Sequence, residues 1–228
     1  MKAVVFGATG LIGYGVLQEC LRDPEVTEVL AVGRTPTGLA DPGLREAVHA
    51  DFLDFAPLAG EFAGADACFW CLGVSAVGMD PADYERVTHD YTLAAARTLA
   101  EVNPDLTFVY VSGAGTDSSG RGRTRWARVK GRTENAVLAL FPNGYAVRPA
   151  FVQPVHGVRS RTPLYRWAAT ALTPVAPVLR RLFPSVVVTT GQLGRAVLGL
   201  ARHGHPGTRV LENRDLVAFA ESEASRRA

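Results

Sequence analysis

An α/β fold built on a doubly wound parallel sheet is predicted by three features of this 228-residue chain. Apolar, strand-like runs recur near 2 to 6, 27 to 32, 46 to 50, 66 to 72, 106 to 112 and 144 to 148. Helix-like segments lie between several of them, an alternation that builds a parallel sheet with helices on both faces. A glycine turn, Gly7-Ala8-Thr9-Gly10-Leu11-Ile12-Gly13, follows the first run at once. Hydrophobic residues make up 47% of the chain, enough for one core in a length that is short for two independent domains.

The first run and the glycine turn lead into a helix whose Ile12, Val16, Cys20 and Leu21 share one stripe. Glycine suits such a turn because the chain must reverse sharply, bring backbone N–H groups close to a pyrophosphate and pack the helix against the strand. The helix N-terminus adds unpaired donors and the positive end of a dipole. Gly7, Thr9, Gly10, Leu11, Ile12 and Gly13 are therefore the expected cradle of a dinucleotide in a Rossmann-type fold.

The second strand ends in Ala31-Val32-Gly33-Arg34. Folds that prefer NAD usually place a carboxylate near this strand end to accept from the ribose hydroxyls. Arg34 instead offers a partner for a 2′-phosphate, and one charge-assisted hydrogen bond of about 1.5–3 kcal/mol biases selection roughly ten- to a hundredfold. NADP is thus expected ahead of NAD; the alternative for Arg34 is a solvated surface arginine. Asp51-Phe52 is expected to end the third strand, where Asp51 either accepts from an adenine amino group, with the neighbouring backbone positioning the ring, or caps the next segment. Leu72-Gly73-Val74, after the fourth strand, is expected to pass the cofactor ribose, with Gly73 permitting close approach.

The longest helix is expected from Pro81 to Val102, with Tyr84, Val87, Tyr91, Ala94, Thr98 and Val102 spaced three or four apart. The fifth strand delivers Ser112 at its carboxyl end, and Trp126-Ala127-Arg128-Val129-Lys130 follows on a helix. Lys2 and Lys130 are the two lysines among 24 basic residues, so a lysine in the interior of the chain stands out. After the sixth strand, Arg148-Pro149 opens a stretch with several prolines and short helices, and a last strand-helix unit follows at 208 to 220. The expected organisation is a single domain: a dinucleotide-binding core over 1–148, a small C-terminal substrate-side lobe with the last strand and helix over 149–220, and a frayed tail over 221–228. Ligands in open α/β folds lie beyond the carboxyl ends of the strands, which makes Pro149 to about Phe183 the candidate substrate side and Pro149 an expected cofactor contact.

Other classes fit poorly. The chain opens on no leader-like segment and holds no run of about 18 apolar residues, so a soluble, cytoplasmic protein without a membrane partner is expected. Trp167 to Leu179, the most apolar late segment, is broken by Pro174 and Pro177. Three cysteines do not make a disulfide scaffold, and Cys68 and Cys71, three apart on a strand, face opposite sides of the sheet. Tyr110 stands where the first glycine of a serine-hydrolase elbow would be. His203-Gly204-His205 has no carboxylate or cysteine cluster near it in sequence, so no metal is expected. Six positive charges lie from Arg121 to Arg132 without an acid, but the net charge is only +2 and aromatic interleaving stops at Trp126. A solvated face is the expected reading there, ahead of a nucleic-acid partner.

Taken in order, GATGLIG, Gly33-Arg34, Asp51-Phe52, Cys71-Leu72-Gly73, Asp90-Tyr91, Val111-Ser112 and Val129-Lys130-Gly131 resemble the extended short-chain dehydrogenase/reductases. In particular the chain is similar to the atypical Tat-interacting-protein-like oxidoreductases, down to Leu211-Glu212-Asn213. The resemblance implies an NAD(P)-dependent oxidoreductase acting on a small carbonyl or alcohol. It also implies a serine that orients the carbonyl, a tyrosine that exchanges a proton with the substrate oxygen, and a lysine four residues later that holds the ribose and lowers the tyrosine pKa. Ser112 and Lys130 match two of these positions; the tyrosine position holds Trp126. Indole donates a hydrogen bond but does not ionise in the useful range, and losing a positioned general acid costs about 10²–10⁴ in rate. Two functions follow. One is an NADP-dependent reductase with a stand-in donor, either water held by Ser112 and Lys130 or one of Tyr14, Tyr84, Tyr91, Tyr110, Tyr145 and Tyr165, of which Tyr91 is best placed. The other is a dinucleotide-binding sensor or interaction protein with little catalysis. Proteins of this kind often pair through long helices, though no uncovered apolar stripe here demands a homodimer.

Overall fold

The computed structural model describes residues 1–155 and 187–226. Runs of apolar residues on both faces of the strands require cover on both sides. In chain order the elements are β1 (Lys2–Phe6), α1 (Leu11–Arg22), β2 (Glu28–Gly33), β3 (Leu44–Val48), a 3₁₀ turn (Ala56–Leu58), α2 (Ala59–Phe62) and β4 (Ala67–Trp70). Then come α3 (Pro81–Glu85), a π turn (Arg86–Asp90), α4 (Tyr91–Val102), β5 (Thr107–Val111), α5 (Arg125–Leu140), β6 (Tyr145–Arg148) and β7 (Phe151–Gln153). Beyond the undescribed stretch lie β8 (Val187–Thr189), α6 (Thr190–His203), β9 (Val210–Glu212) and α7 (Asn213–Arg226).

Seven strands form one parallel sheet in the order β3-β2-β1-β4-β5-β6-β9, as predicted for a doubly wound fold. The order reverses between β1 and β4, and the carboxyl ends of those strands open a crevice there. Period two sorts the side chains. Ala3, Val5, Phe69, Val109 and Val111 pack against α1, α6 and α7, while Val4, Phe6, Trp70, Phe108 and Tyr110 face the side covered by the 3₁₀ turn, α4 and α5. Phe6 stacks on Trp70 with ring centres 4.5 Å apart, and Phe108 on Phe141 at 4.9 Å. Cys68 and Cys71 do fall on opposite faces, and burial pushes the Cys71 thiol up to about 12, far from thiolate reactivity.

Four expectations need correcting. β3 occupies 44–48 rather than 46–50, so Asp51 and Phe52 lie in a turn beyond the strand instead of ending it. The 81–102 segment is helical but not one α-helix, because the π turn inserts a residue and rotates the buried face from Val87, Thr98 and Val102 to Thr88, Thr92, Ala95, Ala96 and Leu99. α5 is the longest uninterrupted helix described, at 16 residues. The frayed tail is helical to Arg226, with Glu223 buried beneath His203 and Arg226. In addition, β9, α6 and α7 join the main sheet and its core. The rest of the expected substrate side, including Tyr165 and Trp167 to Leu179, lies outside the described residues.

β7 and β8 form a separate two-stranded parallel pair, with Phe151 opposite Val187 and Gln153 opposite Thr189. Val155 N–H donates to Thr190 Oγ1 at 3.2 Å, which fastens the end of β7 to the start of α6.

Candidate functional site

Gly7 follows β1 with φ +73°, a conformation that favours glycine, and a Cβ there would meet the Cys71 carbonyl oxygen at 2.8 Å. A Cβ on Gly13 would stand 2.1 Å from the Gly7 carbonyl oxygen, so α1 rests directly on the turn. Gly10 N–H donates to that same oxygen at 2.9 Å, and no side chain caps α1. The N–H groups of Leu11, Ile12 and Gly13 precede the helical ladder, whose first donor is Tyr14 N–H to Gly10 O, and point where a phosphate can accept them.

A cleft of about 230 Å³ opens at the carboxyl ends of β1 and β2, lined by the expected residues Gly7, Thr9, Arg34, Phe52 and Leu72. Arg34 is exposed and has no ion pair among the described residues. Glu46 also faces this cleft and was missed in the sequence; its Oε1 accepts from Thr37 N–H at 2.6 Å. Glu46 sits opposite Ala31 in the β2–β3 register, so a correct β3 register would have revealed it. Phe52 is buried and walls the cleft with its ring, 5.3 Å from Phe55 and 5.7 Å from Tyr91. That contact ties Tyr91 to the cleft wall. Asp51 is exposed and accepts from Leu53 N–H at 2.9 Å in a local turn; it caps no helix, since the following 3₁₀ turn starts from Phe55 without a side-chain cap. Gly73 and Val74 lie in the loop after β4; a Cβ on Gly73 would touch nothing, so the fold itself places no demand for glycine there. Pro149 is buried, and its carbonyl accepts from Ala114 N–H at 3.0 Å, holding the loop after β5.

Across the crevice, Tyr110 and Ser112 share the face of β5 that α5 covers. Ser112 is buried, its N–H donates to Val147 O at 2.8 Å, and its Oγ lies 3.0 Å from Thr116 Oγ1. Thr116 spends its own proton on Gly113 O at 2.7 Å, which makes Ser112 the donor of the pair. Trp126 is half-buried, with its indole edge against Gly115. Lys130, one turn later, is held by the fold yet still touches solvent; its Nζ lies 5.7 Å from the centre of the Tyr110 ring. Burial drives its ammonium down to about 8, against the pull of the Glu134 carboxylate.

The stand-in phenols fare unevenly. Tyr84 and Tyr110 are buried, and desolvation raises both hydroxyls. Tyr145 accepts from His205 N–H at 3.1 Å at the amino end of β6, away from the crevice. Tyr14 is half-buried on α1, and Tyr165 is not described. Tyr110 touches Lys130 through its ring, with its hydroxyl enclosed.

Sequence reasoning also missed Glu134 and Arg148, which form a buried ion pair at 2.6 Å behind Lys130. An acid four residues after the lysine, on the inner stripe of α5, was the available signal. Part of the basic run is already engaged, since Arg125 and Arg132 reach Glu85 at 3.7 and 2.6 Å. Among the described residues no cluster of histidine, cysteine and carboxylate could hold a metal, and no helix is long and apolar enough to cross a membrane.

Comparison with solved structures settles the architecture. The Bordetella bronchiseptica enzyme WbmF, solved with NAD+, superposes over 98% of this chain and 78% of its own with a TM-score of 0.67 at 17% identity. A short chain dehydrogenase family protein from Francisella tularensis matches over 95% of this chain and 98% of its own, at a TM-score of 0.63 and 14% identity. The chain has the short-chain dehydrogenase/reductase fold. The same fold is shared with UDP-glucuronic acid 4-epimerase from Bacillus cereus, at a TM-score of 0.66 and 14% identity over 93% of this chain and 78% of that one. In sequence, Protein FMP52, mitochondrial, from Chaetomium globosum is 27% identical over 65% of this chain and 65% of its own length. Leucinostatins biosynthesis cluster protein T from Purpureocillium lilacinum is 24% identical over 48% of this chain. The chain thus spans less than two thirds of the curated relatives it matches, 65% and 42% of their lengths. No family model matches it.

Proposed function

We propose that the chain binds NADP in the crevice at the β1–β4 switch point and reduces a small carbonyl compound, slowly for a protein of this fold. The glycine turn carries the reading: a Cβ at Gly7 or Gly13 would collide with backbone, and the uncapped first turn of α1 opens beside it. In this reading the open N–H groups of Leu11, Ile12 and Gly13, with Thr9 and the close-packed Gly7 and Gly10 turn, hold the pyrophosphate, and Arg34 takes the 2′-phosphate. Asp51, Phe52 and Tyr91 flank the adenine, while Leu72, Gly73, Val74 and Pro149 border the rest of the cofactor. The bound nicotinamide supplies the hydride. Lys130 donates to the ribose hydroxyls and Ser112, turning its proton from Thr116 to the substrate, orients the substrate oxygen, to which Trp126 N–H can donate without giving up a proton. The proton comes from water held by Ser112 and Lys130, because no exposed phenol joins them among the described residues.

One observation favours a second reading, a dinucleotide sensor that turns nothing over: Trp126 packs on the Ser112 loop at Gly115, where the resemblance expects a tyrosine. Calorimetry with NADPH and NADH, followed by NADPH consumption on a panel of aldehydes, ketones and quinones, separates the two. Turnover supports the reductase, tight NADPH binding without turnover supports the sensor, and no affinity for either nucleotide overturns both. A small-molecule substrate, neither membrane nor nucleic acid as partner, and a cytoplasmic location complete the proposal. The mitochondrial name of one relative supplies the competing location, which cell fractionation distinguishes.

A further inference from the structure

Glu134 is wholly buried although it carries a carboxylate, and it lies one helical turn past Lys130 on α5. Its Oε1 accepts from Arg148 Nε at 2.9 Å, and its Oε2 from Arg148 Nη2 at 2.6 Å. Ser118 Oγ–H donates to the same Oε2 at 2.7 Å, and Arg148 Nη2 also reaches Ser118 Oγ at 2.5 Å. Ser118 belongs to the loop that starts at Ser112, and that loop lies hard on α5: a Cβ on Gly131 would stand 1.9 Å from Asp117 O. Arg148 Nη1 donates to the exposed Glu212 at 2.7 Å. Two cations, Lys130 and Arg148, are thereby matched by two carboxylates between α5, β6 and β9.

We propose that Glu134 is a positioning residue for the site: a single carboxylate that pins the Ser112–Ser118 loop through Arg148 and Ser118 and sets its charge one helical turn from the Lys130 ammonium. The importance of that charge rests on the reading of Lys130 as the cofactor-facing cation. Around Lys130, Tyr110 on β5 presents its ring and Glu134 its charge; the titratable or charged groups of the surrounding elements also include Tyr84 and Glu85 on α3, His89 and Asp90 in the π turn, and Arg148 on β6. Burial alone would drive the ammonium still lower, and Glu134 opposes it.

The chain has two lysines, so ¹³C-lysine labelling gives two titration curves, with Lys2 as internal control. In cofactor-free protein, Glu134→Gln lowers the Lys130 midpoint by about one pH unit and leaves Lys2 in place. The same variant speeds hydrogen exchange of the 113–118 amides about tenfold or more. Ser118→Ala speeds exchange without moving the midpoint. If Glu134→Gln fails to fold, Glu212→Gln lowers the Lys130 midpoint in the same direction by less, because Arg148 then draws more heavily on Glu134. An unmoved Lys130 midpoint in whichever variant folds overturns the proposal, and so does unchanged loop exchange in Glu134→Gln or, where that fails to fold, in Ser118→Ala. Failure to bind NADPH would sink the function reading while leaving these titrations untouched.

Discussion

At the β1–α1 side of the crevice the backbone prepares the proposed dinucleotide site, through the tight turn at Gly7, the seat of α1 on that turn and the open N–H groups of the first helical turn. At the β5–α5 side the proposed chemistry depends on individual side chains, Ser112 at the start of a loop held by a buried ion pair and Trp126 and Lys130 on α5. The first side tolerates changes in side chain as long as the glycines stay. In the proposed reading the second does not, since a position that lacks the expected hydroxyl lacks an acid whatever the surrounding geometry. Binding and turnover can therefore diverge within one crevice.

Four experiments break or sharpen this contrast. Gly13→Val drives a branched side chain into the Gly7 carbonyl, so NADPH binding is lost and unfolding free energy falls by on the order of 4 kcal/mol, as calorimetry and denaturant unfolding would register. Survival of binding would show that the turn is not the cradle. Trp126→Tyr restores a phenol one helical turn before Lys130, and the rate of carbonyl reduction rises about 10²–10⁴-fold in a steady-state NADPH assay. No gain with any carbonyl would mean that the β5–α5 side lacks more than a phenol. Arg34→Ser removes the free guanidinium from the cleft and lowers the NADPH-to-NADH affinity ratio roughly ten- to a hundredfold, with NADH affinity unchanged.

The smallest effect concerns pH. The Lys130 ammonium is depressed from 10.5 to about 8 in the folded chain. NADPH binding accordingly weakens as pH rises through about 8, and Lys130→Met flattens that dependence. Stability moves the other way: between about 8 and 10.5 the unfolded chain holds a proton that the folded chain has released, so stability increases with pH across that window. A binding profile that stays level from pH 7 to 9 would remove Lys130 from the cofactor.

The parallel sheet was legible because β1, β2, β4, β5 and β6 are short apolar runs bounded by turns, and the glycine turn was legible because its spacing reflects close backbone contact. β3 was misplaced by two residues since Arg45, Glu46 and Val48 give an exposed edge strand little apolar signature. The π turn escaped because a single inserted residue leaves composition unchanged while it rotates the buried stripe onto Thr88 and Thr92. Ser112, Trp126 and Lys130 are candidates by their order along the chain. Glu134 and Arg148 were not, because an ion pair between a helix and a strand is a tertiary fact, and in sequence each looks like one more surface charge.

Phe151 and Val187 are partners across two short parallel strands, and the end of the first is fastened to the helix that follows the second. Whatever chain runs between them departs from and returns to the nucleotide core along one seam. That seam has a hydrogen-bond ladder of its own, separate from that of the seven-stranded sheet, so its hold can be weakened without touching the larger ladder.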